Sequence, residues 1–267
     1  MKNSSNASID TWLGVAVEAS KAASHALLDR FRPAADSPLE VNYKGPADVV
    51  TDADITSDKA IADVLSRPGV PGDILSEESR IDKGDGQLTW LIDPLCGTLP
   101  FSTGLPHWGV CIALSSEPDL LVGVVALPTT GEVLSAAKGK GAFLNGNPFE
   151  AHEPPGTLRD IGVALADDSQ GYSDAQRTLR SAIGRGYSFG SAAYPMAQVL
   201  LGRMHGVVFK RGLSVHTAAG VVIARELGVR VTDVAGNDVV WDPEAARNGM
   251  VFAWPQTHDA LLDALRD

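Results

Sequence analysis

The chain has 267 residues, of which 44% are hydrophobic and 21% are charged. These proportions are ordinary for a globular protein, and the length allows one large domain or two fused lobes around a sizeable core. The formal net charge of −11 argues against a nucleic acid polymer or an anionic membrane surface as a bulk partner.

The sequence also indicates a compartment. Two cysteines, Cys96 and Cys111, are too few for a disulfide framework, so a reducing environment is expected. The first ten residues lack the apolar segment of a secretory signal. No apolar run approaches the length of a membrane span. We therefore expect a cytoplasmic protein without a membrane anchor.

The N-terminal part predicts two helices. Apolar residues at helical spacing predict a long amphipathic helix over residues 9–31, a polar loop over residues 34–45 and a second helix over residues 56–65. The second helix is surrounded by four aspartates, namely Asp48, Asp52, Asp54 and Asp58. Capping and the attraction between acids and a helix N-terminus explain Asp58 and Asp52 better than they explain Asp54.

Residues 89–101, T-W-L-I-D-P-L-C-G-T-L-P-F, predict a buried strand that ends at Asp93 in a turn made by Pro94 and Gly97. The Thr98 hydroxyl follows directly. A carboxylate, a bend and a hydroxyl this close together fit a metal or phosphate site, and they fit a simple Asp-Pro turn equally well.

A second strand, over residues 72–79, ends in adjacent glutamates. Their side chains, Glu77 and Glu78, would face opposite ways, so one can point into a site while the other meets solvent. A solvated acidic turn explains the pair as well.

The rest of the chain predicts β-structure and then alternating strands and helices. Strands are predicted over residues 108–115, 120–127 and 132–137, with a glycine-rich hairpin over residues 138–148. The second half predicts strands over residues 161–166, 186–190, 206–209, 229–232 and 250–253, and helices over residues 173–183, 191–204, 216–227 and 257–266. This order predicts an N-terminal α+β lobe over residues 1–150 and a C-terminal α/β lobe over residues 151–267.

Five motifs occur in order along nearly the whole chain. They are D-V-V-T-D-A-D at residues 48–54, S-E-E-S at 76–79, D-P-L-C-G-T-L-P-F at 93–101, G-S-A at 190–192 and V-H-T-A-A at 215–219. With this set the chain resembles the inositol monophosphatase superfamily, which includes fructose-1,6-bisphosphatases and phosphatases of nucleotide 3′-phosphates. The resemblance implies a layered αβαβα sandwich of the sugar-phosphatase type, and hydrolysis of phosphate monoesters with two or three Mg²⁺ ions.

The resemblance also implies metal ligands and catalytic groups. Glu77, Asp93 and the carbonyl of Leu95 match the ligands of the first metal. Thr98 matches the hydroxyl that orients the attacking water with the glutamate, and Asp54 matches an acid that acts through metal-bound water.

Four residues match the substrate side of the family site. The amides of Gly97 and Thr98 correspond to donors to the phosphate. Gly190 and Ser191 begin the glycine-serine-alanine motif that opens a helix at the substrate.

The chain departs from the family at the second metal. Cys96 stands where the D-P-x-D-G-T loop carries its second acid, and His216 stands where the late motif carries its acid, after Val215 in place of tryptophan. Both residues that would bind only the second ion are therefore replaced. The family fold implies that the two replacements lie near each other. Phe209 stands where the family has a glutamate that reads substrate hydroxyls, which argues against inositol as the substrate.

Several functions fit this altered site. A phosphatase can act with the remaining Mg²⁺ or Mn²⁺ sites, or Cys96, His216 and Asp93 can bind a softer metal such as Zn²⁺. Alternatively, Cys96 and His216 form a nucleophile–base pair for non-phosphatase chemistry, or the protein is a pseudophosphatase that binds a ligand without turnover.

The retained acids and hydroxyl favour a metal-dependent phosphatase acting on a small sugar, polyol or nucleotide phosphate. The retained residues are Asp54, Glu77, Asp93 and Thr98. By analogy with the family, we also expect a homodimer.

Overall fold

The computed structural model describes residues 2–45, 48–83, 87–160, 162–166, 173–241 and 249–266. The helices within these residues are α1 (Lys2–Arg30), α2 (Asp52–Leu65), α3 (Thr98–Ser102), α4 (Asp174–Ala182), α5 (Ala193–Leu200), α6 (Ala218–Leu227) and α7 (Pro255–Arg266). The strands of the first half are β1 (Val41–Gly45), β2 (Asp48–Thr51), β3 (Asp73–Ser76), β4 (Arg80–Ile81), β5 (Thr89–Cys96), β6 (Gly109–Ser116), β7 (Asp119–Leu127), β8 (Glu132–Ala137), β9 (Ala142–Leu144) and β10 (Asn147–Phe149). Those of the second half are β11 (Gly162–Ala166), β12 (Arg185–Tyr187), β13 (Gly206–Phe209), β14 (Arg230–Asp233) and β15 (Met250–Ala253).

The strands form two large sheets and one small hairpin, β1–β2. The first sheet has the order β10-β9-β8-β7-β6-β5-β3-β4 and is antiparallel except where β3 runs parallel to β5. The second sheet has the order β12-β11-β13-β15-β14 and mixes parallel pairs on β11 with antiparallel pairs on β15. Mixed pairing of this kind is common where helices cover both faces of a sheet.

The helices separate the two sheets and cover their outer faces. α1 and α2 pack on one face of the first sheet, α5 and α6 lie between the sheets, and α4 and α7 cover the far face of the second. Small side chains repeat at helical spacing on the buried face of α1, at Ala16, Ala19 and Ala23, which lets this helix approach the sheet closely. The predicted αβαβα sandwich is therefore confirmed.

Strand β5 runs through the middle of the first sheet, between β6 and β3. Its residues from Trp90 to Cys96 are all buried. The division of the chain into lobes at residue 150 stays a prediction, although the strands of the two large sheets separate between Phe149 and Gly162.

Two predictions for the N-terminal half were wrong in their extent. The segment predicted as a polar loop over residues 34–45 contains β1, which pairs with β2 through register partners such as Asn42 and Val50. The helix predicted over residues 56–65 begins at Asp52, because Thr51 and Asp54 form a capping box at its N-terminus.

Helix starts in the C-terminal half also differ from the prediction. The helix predicted over residues 191–204 is α5 and spans Ala193–Leu200. The helix predicted from His216 begins at Ala218 with Thr217 as its N-cap, so His216 lies just before the helix. Ile161, the first residue of a predicted strand, lies outside the described residues.

None of the helices described above is both long and apolar enough to cross a membrane.

A fully buried histidine links α7 to β14. His258 is 0% exposed, and its Nε2 lies 3.0 Å from the hydroxyl of Thr232. That hydroxyl donates to the carbonyl of Asp233, so it accepts from Nε2–H, and the neutral ring carries its proton on Nε2. The buried Nδ1 has no hydrogen-bond partner among the described residues. Burial, helped by the charge of Arg230 and opposed by Asp259, lowers the pKa of His258 to about 4.

We expect this histidine to make the folded state sensitive to mild acid. Between an ordinary pKa of 6.5 and the folded pKa of about 4, the unfolded chain binds a proton that the folded chain does not. Stability therefore falls as the pH drops through this window, by on the order of 1 kcal/mol per pH unit. The free energy of unfolding, measured with urea at several pH values between 7 and 5, should change less steeply with pH in His258→Gln than in the wild type. The exposed-site control His25→Gln should keep the pH dependence of the wild type. An unchanged pH dependence in His258→Gln would contradict the role given to this histidine.

Candidate active site

The site is built around an irregular end of β5. Asp93 pairs with Cys111 of β6 and Cys96 pairs with Gly109, so Pro94 and Leu95 together oppose the single residue between those partners. This is the geometry of a β-bulge, which re-aims side chains at the end of a strand. The strand thus continues through Pro94, and the prediction that it ends at Asp93 was wrong.

Gly97 links this bulge to α3 in a conformation that favours glycine. Its φ is 111°, in the left-handed region. A Cβ at this position would lie 2.9 Å from the carbonyl oxygen of His107 and 2.9 Å from Cβ of Ser191. The backbone of β5 therefore passes close to the start of α5, and the amides of Gly97 and Thr98 open the short helix α3.

Asp54 lies in a hydrogen-bonded group at the start of α2. Its Oδ2 accepts from the amide of Thr51 at 2.8 Å and from the Thr51 hydroxyl at 2.6 Å. Its Oδ1 lies 2.9 Å from Oγ1 of Thr98, which is also 3.2 Å from the carbonyl oxygen of Leu95. Burial raises the pKa of Asp54 to about 6, and the hydrogen bonds from Thr51 and Thr98 only partly oppose it. The structure therefore joins Asp54, Thr98 and the Leu95 carbonyl in one group.

Asp93 carries a buried carboxylate with its two oxygens in different environments. The residue is 0% exposed. Its Oδ2 lies 2.6 Å from Nδ1 of His216, whereas its Oδ1 is buried without a hydrogen-bond partner among the described residues. Such an oxygen is costly unless a cation or donor reaches it.

His216 lies between two carboxylates. Its Nδ1 is 3.6 Å from Oε2 of Glu77, in addition to its contact with Asp93, and its side chain is 41% exposed. Burial lowers the pKa of His216, but the charge and hydrogen bond of Asp93 and the charge of Glu77 outweigh this effect and raise the pKa to about 10. The amide of Glu77 donates to the carbonyl of Ile92 at 3.1 Å, which ties the end of β3 to β5.

Cys96 points at the start of α5. Its Sγ accepts from the amide of Ala192 at 3.3 Å and from the amide of Ala193 at 3.1 Å. The Ser191 hydroxyl donates to the Cys96 carbonyl at 2.8 Å. A hydrogen bond with Cys111, burial and the negative charge of Asp93 raise the pKa of the Cys96 thiol well above its usual range. The Cys96 side chain is buried, with 4% of the residue exposed.

The structure thus brings the site residues predicted from the sequence to one end of the first sheet. Asp93, Cys96 and His216 each offer a ligand atom, and these three atoms lie within 4.8 Å of one another. Gly190, with φ of 67°, and Ser191 lie directly before α5, against the β5–α3 turn.

Sequence reasoning missed three supporting contacts. The Thr51 hydroxyl holds Asp54, the Ser57 hydroxyl donates to the Pro94 carbonyl at 2.7 Å, and the Ser76 hydroxyl donates to Asp58. The T-x-x-D spacing of Thr51 and Asp54 is a capping-box signal and could have revealed the first. The other two join residues far apart in sequence, and no local pattern predicts them.

An aromatic group beside the site was also missed. The ring of His107 lies 4.8 Å from the ring of Tyr194 and 5.2 Å from that of Phe189, centroid to centroid. Phe189 and Tyr194 lie on either side of Gly190 and Ser191 in the sequence, and their rings contact each other. The His107 backbone lies beside Gly97, as Ser191 does.

The donors present fit a divalent cation. Glu77, Asp93 and the Leu95 carbonyl offer hard oxygen atoms, which Mg²⁺ and related ions prefer. The buried Oδ1 of Asp93, which has no hydrogen-bond partner among the described residues, fits a cation ligand.

Comparisons with known proteins agree with this geometry. A sequence model described as the inositol monophosphatase family matches residues 8–267. An inositol-1-monophosphatase of Mesorhizobium japonicum is 32% identical over 266 residues, covering 95% of this chain and 96% of that protein. A fructose-1,6-bisphosphatase/inositol-1-monophosphatase of Thermotoga maritima is 30% identical over 227 residues, covering 84% of each chain.

Solved structures show the same fold. The extragenic suppressor protein suhB of Bartonella henselae superposes with a TM-score of 0.86 at 30% identity, over 96% of this chain and 99% of that one. The inositol monophosphatase of Anabaena superposes with a TM-score of 0.81 at 25% identity, over 97% and 96% of the two chains. The protein is a phosphoric monoester hydrolase, and its chain belongs to the inositol monophosphatase family.

Proposed function

We propose that this protein hydrolyses a small sugar, polyol or nucleotide phosphate with divalent cations, Mg²⁺ or Mn²⁺, held by Glu77, Asp93 and the Leu95 carbonyl. The observation that carries the proposal is the buried Oδ1 of Asp93, which has no partner among the described residues and lies in the residue that the family uses as a metal ligand. A divalent ion bound there supplies Lewis-acid polarisation of the phosphate and a water of lowered pKa.

Asp54 and Thr98 are proposed to handle the proton of the attacking water. The Thr98 hydroxyl lies between Oδ1 of Asp54 and the Leu95 carbonyl, so it can pass a proton to the carboxylate while its oxygen stays fixed. Burial raises the pKa of Asp54 to about 6. A pKa near physiological pH suits a general base.

The phosphate is proposed to lie at the start of α3. The amides of Gly97 and Thr98 begin this helix, and the first amides of a helix have no partner within it. Gly190 and Ser191 are proposed to contact the substrate from the opposite side, since Ser191 lies against Gly97.

Cys96 and His216 are proposed to leave the phosphatase chemistry in place while changing the second metal site. A nucleophile–base pair is disfavoured, because the hydrogen bond with Cys111, burial and the charge of Asp93 raise the pKa of the Cys96 thiol, which disfavours the nucleophilic thiolate. The Nδ1 of His216 is engaged by Asp93, so it is not available as a base for the thiol. These contacts support hydrolysis over covalent cysteine chemistry.

The substrate differs from inositol phosphate in this proposal. Phe209 ends β13 and is 6% exposed, and it stands where the family glutamate reads hydroxyl groups. An aromatic ring cannot accept hydrogen bonds as a carboxylate does. By family analogy we further propose a cytoplasmic homodimer.

Removal of metal should abolish turnover. After chelation, phosphate release from a panel of sugar, polyol and nucleotide phosphates should fall at least about 100-fold, because the cation supplies several kcal/mol of transition-state stabilisation. Adding back Mg²⁺ or Mn²⁺ should restore the rate in the wild type but not in Glu77→Gln. Full activity in the chelated enzyme would rule out the proposal.

The hydroxyl group of Thr98 should affect kcat more than the volume of the side chain does. We expect Thr98→Val to lower kcat by about 100-fold or more, in the range typical of a lost proton-transfer group, and Thr98→Ser to retain most of the rate. Thr103→Val makes the same change at the end of α3, where the hydroxyl donates to backbone carbonyls, and should have little effect on kcat. Equal rates for Thr98→Val and Thr98→Ser would remove the hydroxyl from the mechanism.

A further inference from the structure

Asp93, Cys96 and His216 present three different donor types to one point. Carboxylate oxygen, sulfur and imidazole nitrogen lie within 4.8 Å of one another, although their side chains come from β5 and from the segment before α6. We propose that these three side chains form a second cation site that takes a borderline transition metal such as Zn²⁺ in preference to Mg²⁺. The inference deepens the proposed function, since it assigns the cation beside the Glu77–Asp93 site.

The donor chemistry selects the metal class. Mg²⁺ is bound almost entirely through oxygen and keeps several waters. Thiolate and imidazole ligands instead favour Zn²⁺ and its neighbours, which bind Cys, His and carboxylate in tetrahedral sites. Two changes away from oxygen at one point therefore lower the affinity for Mg²⁺ and raise that for a softer ion.

Two backbone amides beside Cys96 suit a metal-bound thiolate. The amides of Ala192 and Ala193 both point at Sγ, at 3.3 Å and 3.1 Å. A neutral thiol is a weak acceptor, whereas a thiolate is a strong one, so these two donors are best used when the sulfur carries a negative charge. Outer hydrogen bonds of this kind hold a ligand in place and tune it for the metal.

Asp93 can serve the proposed Zn²⁺ site as well as the Glu77–Asp93 site, because its two carboxylate oxygens can bind different cations. Its Oδ1 is buried and has no hydrogen-bond partner among the described residues, while its Oδ2 is hydrogen-bonded to Nδ1 of His216 at 2.6 Å. A metal between these groups replaces the proton of that hydrogen bond, and tetrahedral bonds of 2.0–2.3 Å separate the ligand atoms to roughly 3.3–3.8 Å. Binding then releases one proton from the Cys96 thiol and one from the His216 ring.

Three protein ligands leave one tetrahedral position open. The His216 side chain is 41% exposed, so the site opens toward solvent on that side. Zinc sites with three protein ligands keep the fourth position for water or substrate. Glu77 of the first cation site lies close by, with its Oε2 3.6 Å from Nδ1 of His216.

The test measures metal binding separately from activity. Chelator-treated wild-type protein is dialysed against Zn²⁺ or Co²⁺ in excess Mg²⁺, and bound metal is counted by elemental analysis. We expect about one Zn²⁺ or Co²⁺ per chain to resist the Mg²⁺. The Co²⁺ form should show an intense near-ultraviolet charge-transfer band from its thiolate ligand.

Matched cysteine variants decide whether Cys96 is the ligand. Cys96→Ser should lose the charge-transfer band and weaken Zn²⁺ binding by more than the 10–100-fold cost of losing an outer hydrogen-bond partner. Cys111→Ser changes the neighbouring buried thiol and should keep the band. Circular dichroism verifies that both cysteine variants are folded. If Cys96→Ser does not fold, His216→Ala tests the site by removing another proposed ligand. A Co²⁺ form without a thiolate band, or bound Co²⁺ that Mg²⁺ displaces, would overturn the inference.

The double variant Cys96→Asp with His216→Asp tests whether the sulfur and nitrogen ligands determine the metal preference of the site. It restores an all-oxygen ligand set, so the preference of this site for Zn²⁺ over Mg²⁺ should fall sharply. Unchanged selectivity in the folded double variant counts against the inference. Phosphatase activity with Mg²⁺ alone is measured in parallel, and its absence in every form would overturn the proposed function while leaving the metal counts to decide this site.

Discussion

The structure at this site depends on one buried charge. Asp93 ends the regular part of β5 with no exposed surface, and an uncompensated carboxylate in such a place costs several kcal/mol. His216 compensates one oxygen, and the other has no partner among the described residues. Several elements converge on this point: the turn that carries Glu77, the loop before α6 that carries His216, and the start of α3.

The replacement of two family acids changes the electrostatics as well as the ligands. A thiol and an imidazole in place of two carboxylates remove two negative charges from the site and add a positive one when His216 is protonated. A hard divalent ion binds largely through such charges, so the attraction for a second Mg²⁺ falls sharply. Covalent preference of sulfur and nitrogen for a softer ion is then the remaining source of affinity. In the proposed assignment, the two departures therefore act on one property, the identity of the second cation.

Much of the fold was predictable because periodicity is local. The strands β8, β13 and β15 were placed at their observed bounds, since continuous or alternating apolar runs mark buried strands. The bulge in β5 was not predictable, because Pro94 and Gly97 normally end a strand, and only pairing with β6 shows that this one continues. The contact between Asp93 and His216 spans 123 residues, so family resemblance alone, and no pattern within the sequence, could suggest that these residues meet.

The backbone explains how the scaffold can exchange ligands without refolding. The bulge sets the Asp93 side chain, the Leu95 carbonyl and the Cys96 side chain at one edge within four residues, and the Ser57 hydroxyl fixes its Pro94 carbonyl. The partners of Cys96 are main-chain amides at the start of α5, which can hold a carboxylate oxygen or a sulfur alike. Because backbone groups hold the side chain at this position, a change of residue replaces the ligand atom that the site offers while the same backbone donors stay in place.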